Sequence, residues 1–298
     1  MKELVVLSGK GGTGKTSITA AFASLGKNMI LCDTDVDAAD LHLIMAPVNT
    51  DSVEFYGGYE ARIDKDTCTE CGICRELCRF DAVSDDFVID PIACEGCGVC
   101  VDLCPESAIS FSESLCGHWF VSETRFGPMV HARLGIAQEN SGKLVSQVRQ
   151  QAKQIAQNNG SDLILTDGPP GVGCPVIAAI GQASAILIAA EPTVSGRHDM
   201  ERLIDLANHF NIPAIVCINK YDLNPEMTSQ IEAFAKDQGL PVAGRIRFDR
   251  VFLDAMISGK TIVEYDSSSH AAVEVKQVWE FVSHQLQQTG HVKQILNV

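Results

Sequence analysis

The chain alternates short, wholly apolar runs with longer stretches in which apolar residues recur every three to four positions. Residues 4–7 form an apolar run that ends at glycines, residues 15–25 read as a helix, and Met29-Ile-Leu-Cys32 is a second apolar run ending at Asp33. This is a strand, loop, helix, strand opening. The alternation resumes after residue 112, with a helix over 144–157, strands at 163–166 and 185–190 and a helix near 197–210. A strand at 214–218, a helix over 227–238, a strand at 242–246 and helices near 251–257 and 271–286 complete it. Strands that are apolar throughout have no solvated face. The pattern therefore predicts an α/β fold, a mostly parallel sheet covered by helices on both sides.

Residues 60–112 break this pattern and repeat themselves. A shift of 26 positions lays Ile63-Asp64 on Ile89-Asp90, Cys68, Cys71, Cys74 and Cys78 on Cys94, Cys97, Cys100 and Cys104, Gly72 on Gly98, Leu77 on Leu103 and Ala82 on Ala108. The simplest organisation is an α/β domain made of residues 1–59 and 113–298, with a duplicated small module, 60–112, inserted in it.

The 298 residues are 46% hydrophobic, enough for a sizeable core. No apolar run approaches the roughly 18 residues of a membrane helix, so the expected location is the cytoplasm, without a stable membrane anchor. The formal charge of -15, with no basic cluster to override it, disfavours nucleic acid and anionic lipid as partners and favours proteins or small molecules. Eight of the 12 cysteines fall in the two tight CxxCxxCxxxC runs, a spacing for metal ligation in a reducing compartment rather than for a disulfide scaffold.

Gly9-Lys-Gly-Gly-Thr-Gly14-Lys15-Thr16 follows a strand and opens a helix, which is the context GxxxxGK[ST] requires. Its glycines let backbone N–H groups converge on phosphate oxygens, Lys15 adds a charge near the β and γ phosphates, and the Thr16 hydroxyl is a magnesium ligand. The expected nucleotide-binding run is Gly11, Gly12, Thr13, Gly14, Lys15, Thr16 and Ser17.

With Lys10 inside the motif, Lys-Gly-Gly-Thr-Gly-Lys-Thr resembles the deviant phosphate-loop ATPases of the MinD/ParA/Mrp group, which includes the nitrogenase iron protein. The resemblance implies a SIMIBI-like P-loop NTPase, a slow, partner-stimulated and Mg-dependent ATP hydrolase that works as an ATP-dependent homodimer in which Lys10 reaches the partner's phosphates. Leu31-Cys-Asp33-Thr-Asp35-Val-Asp-Ala-Ala-Asp40 is similar to the group's switch I, which implies that Asp33 holds hydrated magnesium and Asp35 orients the attacking water. Asp37 and Asp40 read evenly as functional residues and as capping or solvated ones. Leu163-Ile-Leu-Thr-Asp167-Gly168-Pro-Pro-Gly171 resembles switch II, with Asp167 near the magnesium and the Gly168 amide near the γ phosphate. Asn219-Lys220-Tyr-Asp222 matches the guanine reader NKxD, whereas the group resemblance gives Asn219 to adenine and leaves Asp222 as a loop or capping residue. ATP is favoured over GTP on that ground.

The second cysteine run continues into Pro105 and resembles the bacterial two-cluster ferredoxins, in which the fourth cysteine of each run serves the other cluster. That resemblance implies a small α+β insert with two [4Fe-4S] clusters, one on Cys68, Cys71, Cys74 and Cys104, the other on Cys94, Cys97, Cys100 and Cys78. Two structural zinc sites are the rival reading, disfavoured by three cysteines at successive short gaps. The first run continues with Arg79-Phe80 in place of proline, so a positive charge stands near Cys78 and the two centres need not be equivalent.

Cys32 and Cys217 lie in apolar strands and read as buried packing residues. Cys116 and Cys174 read mainly as ordinary residues, with metal ligation at a dimer axis as the alternative. The stretch from His118 to His131 reads mainly as strands returning to the sheet, with contact to a partner as the alternative, and His42 as a lone structural histidine. Three functions remain open: an ATP-gated electron donor to a redox partner, an iron-sulfur assembly factor resembling Mrp with a metal-accepting partner, and, less favoured, a spatial regulator like MinD or ParA.

Overall fold

The computed structural model describes residues 1–135 and 140–295. In chain order the elements are β1 (Lys2–Ser8), α1 (Lys15–Leu25), β2 (Met29–Asp33), α2 (Leu41–Met45), β3 (Val48–Ile63), α3 (Ile73–Leu77), α4 (Val99–Asp102), β4 (Ile109–Thr124) and β5 (Gly127–Leu134). They continue with α5 (Ser141–Asn159), β6 (Leu163–Pro170), α6 (Cys174–Ile180), β7 (Ala185–Ala190), α7 (Val194–His209), β8 (Ala214–Asn219), α8 (Pro225–Asp237), β9 (Val242–Ile246), α9 (Val251–Ile257), α10 (Ile262–Tyr265) and α11 (His270–Ile295). No helix among the described residues is long and apolar enough to cross a membrane.

The strands form one nine-stranded sheet in the order β3-β4-β5-β2-β6-β1-β7-β8-β9. β1 runs parallel to β6 and β7, β2 to β5 and β6, and β8 to β7 and β9. The expected mostly parallel sheet is present. Alternate residues of each strand serve opposite faces, so Leu4 and Val6 join Leu31, Leu165, Leu187 and Ile215 in the core under α1 and α11, where Phe22 and Trp279 meet at 5.0 Å. Val5 and Leu7 are equally buried, as are Leu144, Val148, Val176 and Ile180 of α5 and α6.

Beneath α5 lies a buried ion pair: Arg149 donates to both carboxylate oxygens of Glu3 at 2.8 and 2.7 Å. It donates as well to the Ala178 and Gly181 carbonyls, tying α5 to the end of α6.

The hydrophobic pattern did not predict β3. Most of its residues are exposed, and as an edge strand it carries no continuous apolar face. The predicted strands 185–190 and 242–246 agree with β7 and β9. The last helix begins one residue before its predicted start and runs nine residues beyond its predicted end.

The chain divides into two compact units. The first comprises Met1–Ser52, Trp119–Arg133 and the residues from Ser141 onward; the second comprises Val53–His118 with the described residues of 134–140. The boundaries expected at 59/60 and 112/113 fall inside β3 and β4, the strands that carry the chain from one unit to the other.

The second unit reproduces its sequence repeat in hydrogen bonds. Cys68 and Cys94 each donate their N–H to the carbonyl of the aspartate four residues earlier, at 3.0 Å, and Gly72 and Gly98 both take positive φ before α3 and α4. The halves are also crossed: Asp64 N–H donates to Ala108 of the second half, and Asp90 N–H to Ala82 of the first, both at 2.8 Å. Its buried apolar cluster is small, comprising Ala61, Cys74, Val83 and Ile109.

Candidate nucleotide site and cysteine recesses

Because the central strands are parallel, the residues that follow β1, β2, β7 and β8 gather at one edge of the sheet, where open α/β sheets bind ligands. β1 ends at Ser8, and the loop to α1 turns through positive φ at Gly12 and Gly14. A side chain at Gly14 would lie 2.4 Å from Asn219 Nδ2, whereas one at Gly11 would meet only open space.

The loop carbonyls are tied back by protein donors. Ser8 Oγ and Thr13 Oγ1 donate to Lys10 O at 2.8 and 3.0 Å, Lys220 Nζ to Gly12 O at 2.8 Å, and Asn219 Nδ2 to Thr13 O at 2.6 Å. In a planar trans peptide the carbonyl and the next N–H point in opposite directions. The N–H groups of Gly11, Thr13 and Gly14 therefore point away from these donors and are available to an anion.

Lys15 opens α1, is 7% exposed and donates to Asp35 Oδ2 at 2.6 Å. Asp33 and Asp167 are register partners on β2 and β6. Asp167 Oδ1 accepts from Thr19 Oγ1 at 3.1 Å, and Asp33 Oδ1 from the Asp35 N–H at 3.1 Å. The other carboxylate oxygen of each, Asp33 Oδ2 and Asp167 Oδ2, is buried without a hydrogen-bond partner among the described residues.

Burial, reinforced by the charge of Asp167, pushes the Asp33 carboxyl well above its usual range, and burial raises Asp167 as well. Burial alone would lower Lys15, but Asp167, Asp35 and Asp33 outweigh it and hold the ammonium above its ordinary value. Two orphaned carboxylate oxygens beside the phosphate loop fit Mg²⁺, a hard cation that keeps several waters and takes few protein ligands. Among the described residues, no group of three or more His, Cys, Asp or Glu is spaced to cage a single metal ion.

Gly168 lies buried in β6, where an added side chain would meet Leu7 at 2.5 Å and the Val6 carbonyl at 2.8 Å. Close packing of β1 against β6 is therefore sufficient reason for glycine there. Thr16 and Ser17 follow Lys15 in the first turn of α1. Asn219 Oδ1 is a buried acceptor without a partner among the described residues, whereas Asp222 Oδ1 accepts the Phe248 N–H at 2.7 Å, the loop role the resemblance left it.

Of two neighbours of the loop, Glu191 escaped sequence reading and Lys220 was read only as part of the NKxD motif. Glu191 follows β7 and pairs with Lys220 at 2.5 Å and Lys10 at 3.1 Å. Its signal was available: it is an acidic residue directly after an apolar strand, like Asp33 and Asp167.

In the second unit the cysteines line two recesses in crossed sets. One, with an empty volume of about 330 Å³, is lined by Cys68, Cys71, Cys74 and Cys104 together with Pro105. The other, of about 400 Å³, is lined by Cys78, Cys94, Cys97 and Cys100. Backbone N–H groups of Glu70 and Ala108 donate to the sulfurs of Cys68 and Cys104 at 3.4 and 3.3 Å. Burial raises the Cys74 and Cys100 thiols, so they would be poor thiolates unless a metal took the proton's place. Four soft sulfur donors around a recess fit an iron-sulfur cluster. The Arg79 guanidinium lies over the Phe80 ring at 4.9 Å.

Cys32 and Cys217 are fully buried in β2 and β8, and Cys116 is buried in β4, but Cys174 is exposed at the start of α6. His42 is not alone, since it stacks on His131 with ring centres 6.4 Å apart.

Residues 4–262 match the CobQ/CobB/MinD/ParA nucleotide binding domain. The uncharacterized protein MJ0578 of Methanocaldococcus jannaschii is 35% identical over 225 residues, 74% of this chain and 79% of that protein. The septum site-determining protein MinD of Synechocystis is 24% identical over 87% of this chain and 81% of its own length. In fold, the chain is similar to MinD of Pyrococcus horikoshii, solved with Mg-ADP, with a TM-score of 0.60 and 17% identity over 97% of this chain and 98% of that one. With the phosphate loop at its expected place in a mostly parallel sheet, the chain belongs to the CobQ/CobB/MinD/ParA family and is a nucleotide-binding P-loop ATPase.

Proposed function

We propose that the chain is an ATP-dependent homodimeric switch coupled to two [4Fe-4S] clusters held by the inserted module, residues 60–112. The observation that carries this reading is the pair of recesses, each lined by three cysteines of one run and the fourth cysteine of the other. One zinc ion per recess is the rival occupant, disfavoured by three cysteines at successive short gaps in each run.

In this reading the loop N–H groups and Lys15 bind the phosphates, Thr16, Asp33 and Asp167 serve Mg²⁺, and Asp35 orients water once Lys15 has turned to the nucleotide. Asn219 reads adenine through its unpaired Oδ1, Gly168 faces the γ phosphate, and Lys10 reaches the second copy. Bound clusters would supply one-electron chemistry toward a redox partner. The segment after β2 answers to the nucleotide and leads directly through α2 into β3, so nucleotide state and cysteine module are covalently linked.

Anaerobic protein should contain about eight irons and eight sulfides per chain by the two-cluster stoichiometry. One zinc per site would overturn the reading. An electron paramagnetic resonance titration with Mg-ADP, then with a non-hydrolysable ATP analogue, should show a nucleotide-dependent potential. Constant potentials with iron released to an acceptor protein would favour the assembly factor instead.

A spatial regulator is the second reading, favoured by the likeness to Synechocystis MinD over 87% of this chain. ATP-dependent cosedimentation with anionic vesicles, independent of iron content, would support it.

A further inference from the structure

Glu191 divides its carboxylate between two lysines. Oε1 lies 2.5 Å from Lys220 Nζ and Oε2 lies 3.1 Å from Lys10 Nζ, while Lys220 also donates to Gly12 O at 2.8 Å. The Glu191 side chain is only 12% exposed, against 39% for Lys10. Burial would raise its carboxyl, but the hydrogen bonds from Lys220 and Lys10 outweigh that and hold it below the usual range. A lysine in a glycine-rich loop would ordinarily be a solvated arm. Here its charge is matched by a largely buried carboxylate on its own chain.

We propose that Glu191 is a positioning residue that withholds Lys10 from a second copy of the chain. This deepens, and rests on, the reading of Lys10 as a residue that acts across the dimer. One ammonium cannot be held by Glu191 and also reach a partner's phosphates, so the two contacts compete. The free energy of the pair within one chain is subtracted from association, and removing it strengthens association by the same factor. A triphosphate offers more negative charge than one carboxylate, so the exchange is favourable when the partner carries nucleotide. Lys220 lowers the cost of the exchange, because Glu191 keeps one cationic partner after Lys10 leaves. Pairs of this partial exposure are weak, so the expected effect is a few-fold rather than a thousandfold.

The test is analytical ultracentrifugation of the full chain at saturating non-hydrolysable ATP analogue, comparing wild type, Glu191→Gln, Lys10→Ala and the double variant. The dimer dissociation constant should fall about three- to tenfold in Glu191→Gln, and Lys10→Ala should erase that gain. A structural role alone would not produce such dependence on Lys10. An unchanged or weaker dimer in Glu191→Gln, with Lys10→Ala abolishing dimerisation, would overturn the withholding role and leave the dimer reading intact. A dimer that survives Lys10→Ala would overturn the reading of Lys10 itself. If Glu191→Gln does not fold, Glu191→Asp, whose shorter arm cannot span both lysines, should tighten the dimer in the same direction; failure to do so overturns the proposal.

Discussion

The two units of this chain are stabilised by different means. The first packs apolar residues on both faces of a parallel sheet, with Phe22, Leu31, Ile164 and Leu165 fully buried. The second has a buried apolar cluster of four residues, yet its segment 53–118 carries fourteen acidic residues against four basic ones. A unit of this size with so little core needs another source of stability. On the proposed cluster reading the eight cysteines around two recesses would supply the donors for one, and repulsion among its carboxylates adds to the need.

The largest effect that would break this comparison is metal removal. Chelation under denaturant-free conditions, or Cys71→Ser, should unfold the second unit while the first keeps its helical signal and nucleotide affinity. Limited proteolysis should then cut within 53–118 first. A second unit that stays protease-resistant without metal would show that its apolar cluster suffices.

Next comes the first unit's own polar device. Arg149→Met leaves Glu3 buried without its bidentate partner and should cost about 3–5 kcal/mol in denaturant unfolding. Adding Glu3→Gln should recover part of that loss. Equal losses in the single and double variants would mean that Arg149 acts mainly through the Ala178 and Gly181 carbonyls.

A smaller, pH-dependent effect sharpens the same contrast. Burial, with the neighbouring His42, pushes His131 down to about 4 from its ordinary 6.5. Between these values the unfolded chain binds the proton and the folded chain does not. The stability of the first unit that depends on neutral His131 is therefore complete above about pH 6.5 and is lost as the pH falls toward 4, by about 2–3 kcal/mol. His131→Gln should flatten that portion of the pH profile relative to wild type. The smallest effect on stability tests the loop: Lys15→Ala should change the unfolding midpoint only modestly while weakening nucleotide binding about 100-fold or more by calorimetry.

Much of the first unit was legible because its central strands are apolar throughout and its helices are amphipathic, so period alone separated them. The phosphate loop was legible because its glycines, lysine and threonine are adjacent in sequence. β3 was not, since an exposed edge strand lacks the apolar signal that period-reading needs. The contacts of Glu191 and Lys220 with the loop were missed for another reason. Each acts on the loop from the end of a different strand, and nothing in local spacing connects position 191 with position 10. His42 likewise looked solitary because its stacking partner is 89 residues away.

By itself the sequence determined the alternation that makes a parallel sheet, the glycine-rich loop between β1 and α1, and a duplicated cysteine module, because each depends on residues close along the chain. The ferredoxin resemblance had already grouped the cysteines in the sets that line the two recesses, whereas only the tertiary structure decided which carboxylate oxygens are left unpaired beside the loop and which anion holds Lys10. Those pairings depend on strand order and on the crossing of the two repeat halves, and burial then fixes their energies by removing the water that would otherwise satisfy every group separately.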